Sequence, residues 1–301
     1  MNPPLRHESD SQDRNPLAGI AAPVSVVILT FNEFDNLSAA LDSCAWCKDV
    51  VVLDSGSTDG TIQIAEERGV RIYENSFESF GKQRNWAIEN IPLDHEWVFH
   101  LDADEHFTAP LVKEMAWRIA QASDELAGYH VPHKLMLHNQ WLRRSGGYPV
   151  YQMRLFHKHR MQFIDHGHGQ REAPGSITEK LNEPYLHFAF SKGLEDWLAK
   201  HNRYALHEAQ EFVNSNSKLQ WSELFSTDGL KRRRALKNIS YHVPLRPTLR
   251  WWMIVAIQRG ILDGRAGLTY AAMLSTYERM FGLHVRAIRS NLSVAGQRKS
   301  S

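Results

Sequence analysis

Only two of the 301 residues are cysteine, Cys44 and Cys47. Two thiols spaced C-x-x-C do not complete a zinc site by themselves and cannot build a disulfide framework, which fits a reducing compartment. They close a helical pattern, Ala39 to Cys47, where small buried thiols are common. A thioredoxin-like redox pair is the other reading of the spacing. Long apolar runs are also missing. The most apolar stretch, Trp251 to Ile257, falls far short of the roughly 20 residues that span a bilayer. The first 22 residues are polar, contain proline and lack the apolar heart of a secretory signal, so a tail is expected there. A net charge of +1 gives no global case for nucleic acid as a partner. Internal repeats and low-complexity segments are absent.

The charge that is present is unevenly spread. From Lys231 onward, Asp263 and Glu278 are the only acids. Lys231-Arg-Arg-Arg234 opens a basic region continued by Lys237, Arg246, Arg250, Arg259 and Arg265, with Trp251 and Trp252 inside it. Such asymmetry points to an anionic partner. Lys/Arg-flanked apolar segments bearing tryptophan suit the headgroup region of an anionic bilayer. A core helix with solvated arginines is the competing expectation.

The first hundred residues alternate strands and helices. Val24–Thr30, Val50–Asp54, Val70–Tyr73 and Trp97–Leu101 are β-branched or apolar runs, each short enough for a buried strand. Residues 36–46, 61–68 and 81–90 carry helical spacing, with Thr58 or Asp59 as N-cap of the second. This order implies an α/β fold with a mostly parallel sheet covered on both faces. Ligands of such sheets lie outside the carboxyl ends of the strands. Asn32/Glu33, Asp54 to Asp59 and Asp102/Asp104 all fall at that rim. In an extended strand, residues two apart point the same way. Asp102 and Asp104 are therefore expected to face one ion together. Their oxygen-only donor set suits Mg²⁺ or Mn²⁺.

The second half is less regular. Residues 127–132 and 151–156 read as further strands, with a polar loop, His138 to Gly147, between them. Asp165 to Glu172 is a run of titratable groups spaced by glycines. Residues 193–212 form a helix, and 221–280 are mostly helical, with interruptions near Pro244, Pro247 and Asp263-Gly264.

Several motifs now fall into one pattern. Val27-Ile-Leu-Thr-Phe-Asn-Glu33, Val52-Leu-Asp-Ser-Gly-Ser-Thr-Asp-Gly-Thr61, Arg84-Asn85 and Asp102-Ala-Asp-Glu105 resemble glycosyltransferase family 2 of the GT-A fold. Arg154-Leu-Phe156, Leu186-His187, Lys200 to Tyr204 and Gly260 to Gly267 extend the resemblance to the subgroup of the lipopolysaccharide-core β-1,4-glucosyltransferase. The resemblance implies a domain plan: a tail over 1–22, a GT-A domain over 23–215, a helical basic extension over 216–285 and a second tail over 286–301.

It also implies roles. Thr30, Asn32 and Glu33 line a uridine and ribose pocket, and Asp54 meets the uracil or ribose edge. Ser57 and Asp59 lie on the turn where backbone approaches the nucleotide. Arg84 neutralises the diphosphate or contacts the base, unless it is a surface-helix arginine. Asp102 faces the sugar or ribose, and Asp104, with Asp102 to a lesser degree, binds the metal. An inverting transfer needs one general base on the acceptor hydroxyl. The subgroup's His-Glu pair falls near His168, but here the glutamate is displaced, leaving Glu172, Asp165 and His168 as candidates in that order.

The implied activity is transfer of one hexose, glucose by the resemblance, from a UDP-sugar to a lipopolysaccharide-core or other lipid-linked glycan. The implied location is cytoplasmic, peripheral at the inner face of the membrane. The Gln-x-x-Arg-Trp signature and transmembrane helices of the family's processive synthases are missing, which favours single addition. A polyprenyl-phosphate glycosyl synthase is the alternative. A nucleotidyltransferase is disfavoured because no Gly-rich, Arg/Lys-bearing loop follows the first strand, and a non-catalytic relic because Asp54, Asp59, Asp102 and Asp104 are intact.

Overall fold

A computed structural model of the chain describes residues 17, 19–166, 169–214, 226, 232 and 245–299; the side chains of 166 and 291–299 are not described. The chain divides into two compact units. Unit 1 comprises Met1–His133 and Tyr151–His187, and unit 2 comprises Lys134–Val150 and Phe188–Ser301.

In unit 1, β1 (Val24–Thr30), α1 (Phe34–Ser43), β2 (Val50–Asp54), α2 (Thr61–Glu67), β3 (Arg71–Glu74), α3 (Phe80–Asn90) and β4 (Trp97–Asp102) follow one another as the sequence pattern expects. A short β5 (Glu105–His106) and α4 (Ala109–Ile119) come next. The sheet is completed by β6 (Leu126–Leu137), then β8 (Val150–His157), β11 (Ile177–Lys180) and β12 (Tyr185–His187); β9 (Phe163–His166) and β10 (Gly169–Glu172) form a separate hairpin. Strand order is β3-β2-β1-β4-β8-β6-β12-β5, with β11 beside β6. The four strands β3, β2, β1 and β4 are parallel, and β8 runs antiparallel to β4.

The alternation in β1 shows why both faces are covered. Val24, Val26 and Ile28 join a core with Leu37, Ala40 and Leu41 of α1 and Leu111, Val112 and Met115 of α4. Val27 points the other way, into a core with Ala87 of α3, Met153 and Phe156 of β8, and Phe163 of β9. A strand buried on both sides reads as a continuous apolar run rather than an alternating one. The tail expected over 1–22 is partly incorporated, since Leu17 is buried and Ile20 and Ala22 pack against the first core. Cys44 is buried just after α1 and Cys47 is half-buried, both as free thiols. Burial pushes both thiols up, Cys47 to about 11, so neither is a nucleophile at neutral pH.

Unit 2 shows where the expected domain plan differs. The helix α5 (Gly193–Asn214) belongs to this unit rather than to the sheet domain. Its buried face, Ala205 and Ala209, packs on Phe281 and Val285 of the long C-terminal helix α7 (Gly264–Lys299). That helix runs through 286–299, where a tail was expected. Preceding it are α6 (Arg246–Trp252), one π-helical turn (Met253–Ile257) and one 3₁₀ turn (Gly260–Asp263). The polar loop 138–147 contains β7 (Gln140–Trp141), paired with the end of β6. Buried Asp263 anchors that loop, accepting hydrogen bonds from the Arg144 and Ser145 amides (2.9 and 2.8 Å) and the Ser145 hydroxyl (2.7 Å). The glycines of the 260–267 motif serve close approach: a Cβ on Gly267 would lie 2.1 Å from the Gly260 carbonyl oxygen. Lys231, Arg233, Arg234 and Lys237 of the basic region lie outside the described residues. Among the described residues, no helix is long and apolar enough to cross a membrane.

Candidate active site

The parallel register lines up three strand ends. Thr30 of β1 lies opposite Asp54 of β2, and on the other side Leu29 lies opposite Asp102 of β4. The chain runs outward from β1 to β3 and then returns to place β4 on the far side of β1. Strand order therefore reverses between β1 and β4, the topological switch point where open α/β sheets bind ligands.

Two loops at this rim are laced together. Asp54 is 1% exposed and accepts four hydrogen bonds, from the Thr30 hydroxyl (2.7 Å), the Gly56 and Ser57 amides (2.8 and 2.7 Å) and the Ser57 hydroxyl (2.5 Å). Asn32, in the left-handed region at φ 54°, donates its amide to the Ser57 hydroxyl at 2.8 Å and accepts from the Thr58 amide at 2.8 Å. The Glu33 amide donates to the Thr61 hydroxyl at 2.7 Å, and the Glu33 carboxylate accepts from the Asn36 side chain at 2.6 Å. Asp59 opens α2, accepting from the Thr61 amide at 2.9 Å and hydroxyl, and from the Phe34 amide at 3.2 Å. The acidic and hydroxyl residues after β1 and β2 thus fix one another and tie residues 32–34 to residues 57–61.

Beyond the switch point lies a buried charge network. Arg84 of α3 is 1% exposed, which removes the surface-helix reading, and it donates to Asp102 at 3.2 Å. Arg154 of β8 donates to the other Asp102 oxygen at 2.5 Å and to Glu105 at 2.6 Å. The Asp102 amide in turn donates to Glu105 at 3.1 Å. Burial pushes the Asp102 carboxyl up, but Arg154 and Arg84 outweigh it and hold it below the usual carboxylate range. At Glu105 burial wins over Arg154, and Asp102 adds to it, so that carboxyl sits above its ordinary range. Burial lowers Arg84 to about 10, which leaves it charged at neutral pH.

Asp102 and Asp104 do not lie on one extended strand as expected. The strand ends at Asp102, and residues 103–104 form a turn into β5. Ala103 goes into the core, and Glu105 closes the turn on the Asp102 amide. Both Asp102 oxygens are held by arginines, whereas Asp104 faces His187 of β12 at 3.4 Å. Glu105 and His187 are register partners, which brings residue 104 beside the imidazole. Burial lowers His187, but Asp104 outweighs it, with Glu105 and Asp102 adding, and its pKa ends raised. Asp104 and His187 form an oxygen-plus-imidazole pair suited to a small divalent ion. Among the described residues, no three His, Cys, Asp or Glu side chains gather closely enough to cage a metal ion alone.

The three base candidates separate. Asp165 caps α3, accepting from the Ser79 hydroxyl at 2.8 Å and the Gly81 amide at 3.1 Å. Glu172 of β10 faces His130 of β6 at 3.6 Å. His168 lies outside the described residues. Sequence reasoning assigned no role to Arg154, Glu105 or His187. Arg154 and His187 stood in quoted motifs, but nothing in their spacing ties them to Asp102 and Asp104, which are dozens of residues away.

The fold is that of a GT-A-type α/β glycosyltransferase. The family model described as glycosyl transferase family 2 matches residues 25–177, and the chain belongs to that family. It is 24% identical over 220 residues to the lipopolysaccharide core biosynthesis glycosyltransferase LpsC of Rhizobium meliloti, an alignment spanning 68% of this chain and 77% of that one. It is 25% identical over 207 residues to an uncharacterized glycosyltransferase of Rickettsia felis, over 65% and 72% of the two chains. Among solved structures it is similar to glucosyl-3-phosphoglycerate synthase from Mycobacterium tuberculosis, in complex with Mn²⁺, UDP and glucosyl-3-phosphoglycerate. There the TM-score is 0.30 at 21% identity, and the match covers 40% of this chain and 45% of that one.

Proposed function

We propose that this protein is an inverting, metal-dependent hexosyltransferase that moves one sugar, glucose in the first instance, from a UDP-sugar to a lipid-linked glycan of the lipopolysaccharide-core type. The observation that carries this reading is the Asp104–His187 pair beside two buried arginines at the switch point of the sheet. The similarity to a lipopolysaccharide core biosynthesis glycosyltransferase of Rhizobium meliloti supports the acceptor class. Arg84 Nε and Nη1 and Arg154 Nε are buried without a hydrogen bond among the described residues, and buried unpaired donors of this kind ask for a functional explanation. Positive charge at this point suits a departing diphosphate.

In this reading the laced loops 31–34 and 55–60 cradle the uridine and ribose, with Thr30, Asn32, Glu33, Asp54, Ser57 and Asp59 forming the cradle. Asp104 and His187 would hold Mg²⁺ or Mn²⁺, which would supply charge neutralisation on the leaving nucleoside diphosphate. Asp102, oriented by Arg84 and Arg154, faces the donor sugar. Glu172 accepts the proton of the acceptor hydroxyl as that oxygen attacks the anomeric carbon and the bond to the diphosphate breaks. Glu172 is preferred to Asp165 because both Asp165 oxygens already accept hydrogen bonds.

Product analysis with UDP-, GDP- and dTDP-sugars, lipopolysaccharide-core acceptors and polyprenyl phosphate tests the reading. A glycosidic product on the core glycan, with UDP released, is expected. A polyprenyl-phosphate sugar would replace the reading with the phosphate-acceptor alternative.

Two substitutions probe the roles. Asp54→Ala leaves the Gly56 and Ser57 amides without their acceptor, so the cradle loosens. UDP affinity by calorimetric titration should fall about tenfold or more, with a stability cost of about 1–3 kcal/mol for the groups left unpaired. Unchanged affinity would make Asp54 a turn residue only. Glu172→Gln should lower kcat by about 10²–10⁴ with UDP-sugar binding intact, since only proton transfer is lost. A fully active variant would pass the role to Asp165 and then His168.

A further inference from the structure

Unit 2 leaves one face of its α6 region without a protein partner among the described residues. Leu245, Leu249, Trp252 and Ile257 are 74%, 52%, 56% and 79% exposed, and Ile261 and Leu262 in the following turn are 57% and 64% exposed. Leu245, Leu249 and Trp252 are spaced four and three residues apart, so they stand on one side of the helix. The other side carries the packing: Ile254 and Val255 are buried with Ala271, and Trp251 and Leu274 pack against them. Single exposed apolar residues are ordinary, but a run of six large ones within eighteen positions marks an interaction face.

The charge around this face decides its partner. Arg259 and Arg265 are exposed, and neither forms an ion pair among the described residues. The two acids of 245–299 are both engaged within the unit. Asp263 is buried on the 144–145 amides, and Glu278 pairs with Arg246 at 2.8 Å. Among residues 245–299 the face is therefore apolar and cationic, since neither of their two acids is exposed on it. A second copy seated symmetrically on the same face would set Arg259 and Arg265 against their own counterparts, a like-charge contact that opposes pairing. An anionic bilayer offers both complements, phosphate and carboxylate headgroups for the arginines and acyl chains for the apolar side chains. Tryptophan at the boundary of such a face suits the headgroup level.

We propose that the face formed by Leu249, Trp252, Ile257, Ile261 and Leu262, with Arg259 and Arg265, docks unit 2 on an anionic lipid surface. The docking is independent of which sugar or acceptor the enzyme uses.

Co-sedimentation of the full chain with vesicles tests it, comparing phosphatidylcholine alone with phosphatidylcholine containing 30% phosphatidylglycerol as roughly a bacterial charge density. Binding should be at least about tenfold tighter to the anionic vesicles and should weaken as salt shortens the Debye length. Arg259→Ser with Arg265→Ser should weaken binding to the anionic vesicles roughly 25-fold, about fivefold per arginine. Trp252→Ser with Ile257→Ser should weaken binding about tenfold or more at every salt concentration, because it removes the inserted apolar surface. All four positions are exposed, so circular dichroism melts should be unchanged. Recovery of the wild type in the supernatant, or binding insensitive to both variant pairs, would overturn the proposal. So would concentration-dependent dimerisation that Trp252→Ser abolishes, since it would give the face to a second copy.

Discussion

Asp104→Asn is expected to lower sugar transfer by about 10³-fold while the protein stays folded. Three acids crowd the turn after β4, and two are already committed to arginine. Asp102 is held by Arg84 and Arg154, and Glu105 by Arg154 and the Asp102 amide. Asp104 instead stands beside His187 at 3.4 Å. The asparagine keeps the size and one oxygen but removes the charge that a divalent ion needs. Metal stabilisation of a leaving diphosphate is worth several kcal/mol, and about 1.4 kcal/mol is a factor of ten in rate. Mn²⁺ titration in the presence of UDP should lose its high-affinity phase, a readout separate from turnover. EDTA should silence the wild type, and excess Mn²⁺ should restore it. Because Asp104 is partly exposed, urea midpoints should move by no more than about 1 kcal/mol equivalent. Full activity in EDTA would move this chain to the metal-free transferases, and full activity of Asp104→Asn would remove this residue from the site.

The parts of this site that the sequence makes legible are those built from local order. Val24–Thr30 and Val50–Asp54 announce themselves as buried strands because, Ser25 apart, every residue in them is apolar or β-branched up to the polar end. Parallel pairing then forces Thr30, Asp54 and Asp102 to one rim, since β1 pairs with both neighbours in near-flush register. The N-cap of α2 is Gly60, not Thr58 or Asp59 as expected; Asp59 sits one residue earlier and accepts from the Thr61 amide.

What stayed hidden depends on contacts between distant segments. Arg154 lies 52 positions from Asp102 along the chain, and no periodicity records that β8 comes back antiparallel to β4. The same holds for His187, which reaches Asp104 only because β12 pairs with β5. Asp165 has a second, structural contact of the same hidden kind. Besides being a candidate base, it holds the start of α3, a contact that only the return of β9 alongside that helix reveals. The turn at 103–104 was missed because a strand pattern cannot show where a buried small residue, Ala103, pulls the chain off its line.

Arg154→Met is expected to be the most destabilising single change in unit 1. The methionine keeps the apolar stem but leaves Asp102 and Glu105 facing each other in a buried site. Removing one partner of a buried ion network costs about 3–5 kcal/mol, against a total of about 5–15 kcal/mol for an ordinary domain. The loss should be read locally, as faster amide exchange across β4 (Trp97–Asp102) and β8 (Val150–His157), the strands that carry Asp102 and Arg154. The pH dependence carries a sign that distinguishes ion pairing from packing. In the wild type, the folded Asp102 carboxyl titrates below its unfolded value, so its contribution is present above about pH 3.9 and is lost as pH falls through the lower folded value. The folded Glu105 carboxyl titrates above its unfolded value. The unfolded chain therefore releases that proton first, and stability falls as pH climbs from about 4.3 toward the higher folded value. Without Arg154 both carboxyls lose their nearest cation and both folded values rise. The deficit of the variant should then be smallest at the acid end, below the folded Asp102 value, be partly present at pH 4, where the wild-type Asp102 is already ionised, and grow toward pH 8 as Glu105 ionises too. Adding Glu105→Gln to Arg154→Met should flatten that growth, because the glutamine cannot ionise. A deficit of equal size at pH 4 and pH 8, with EDTA present throughout, would mean that Arg154 contributes through the packing of its stem and not through its charge.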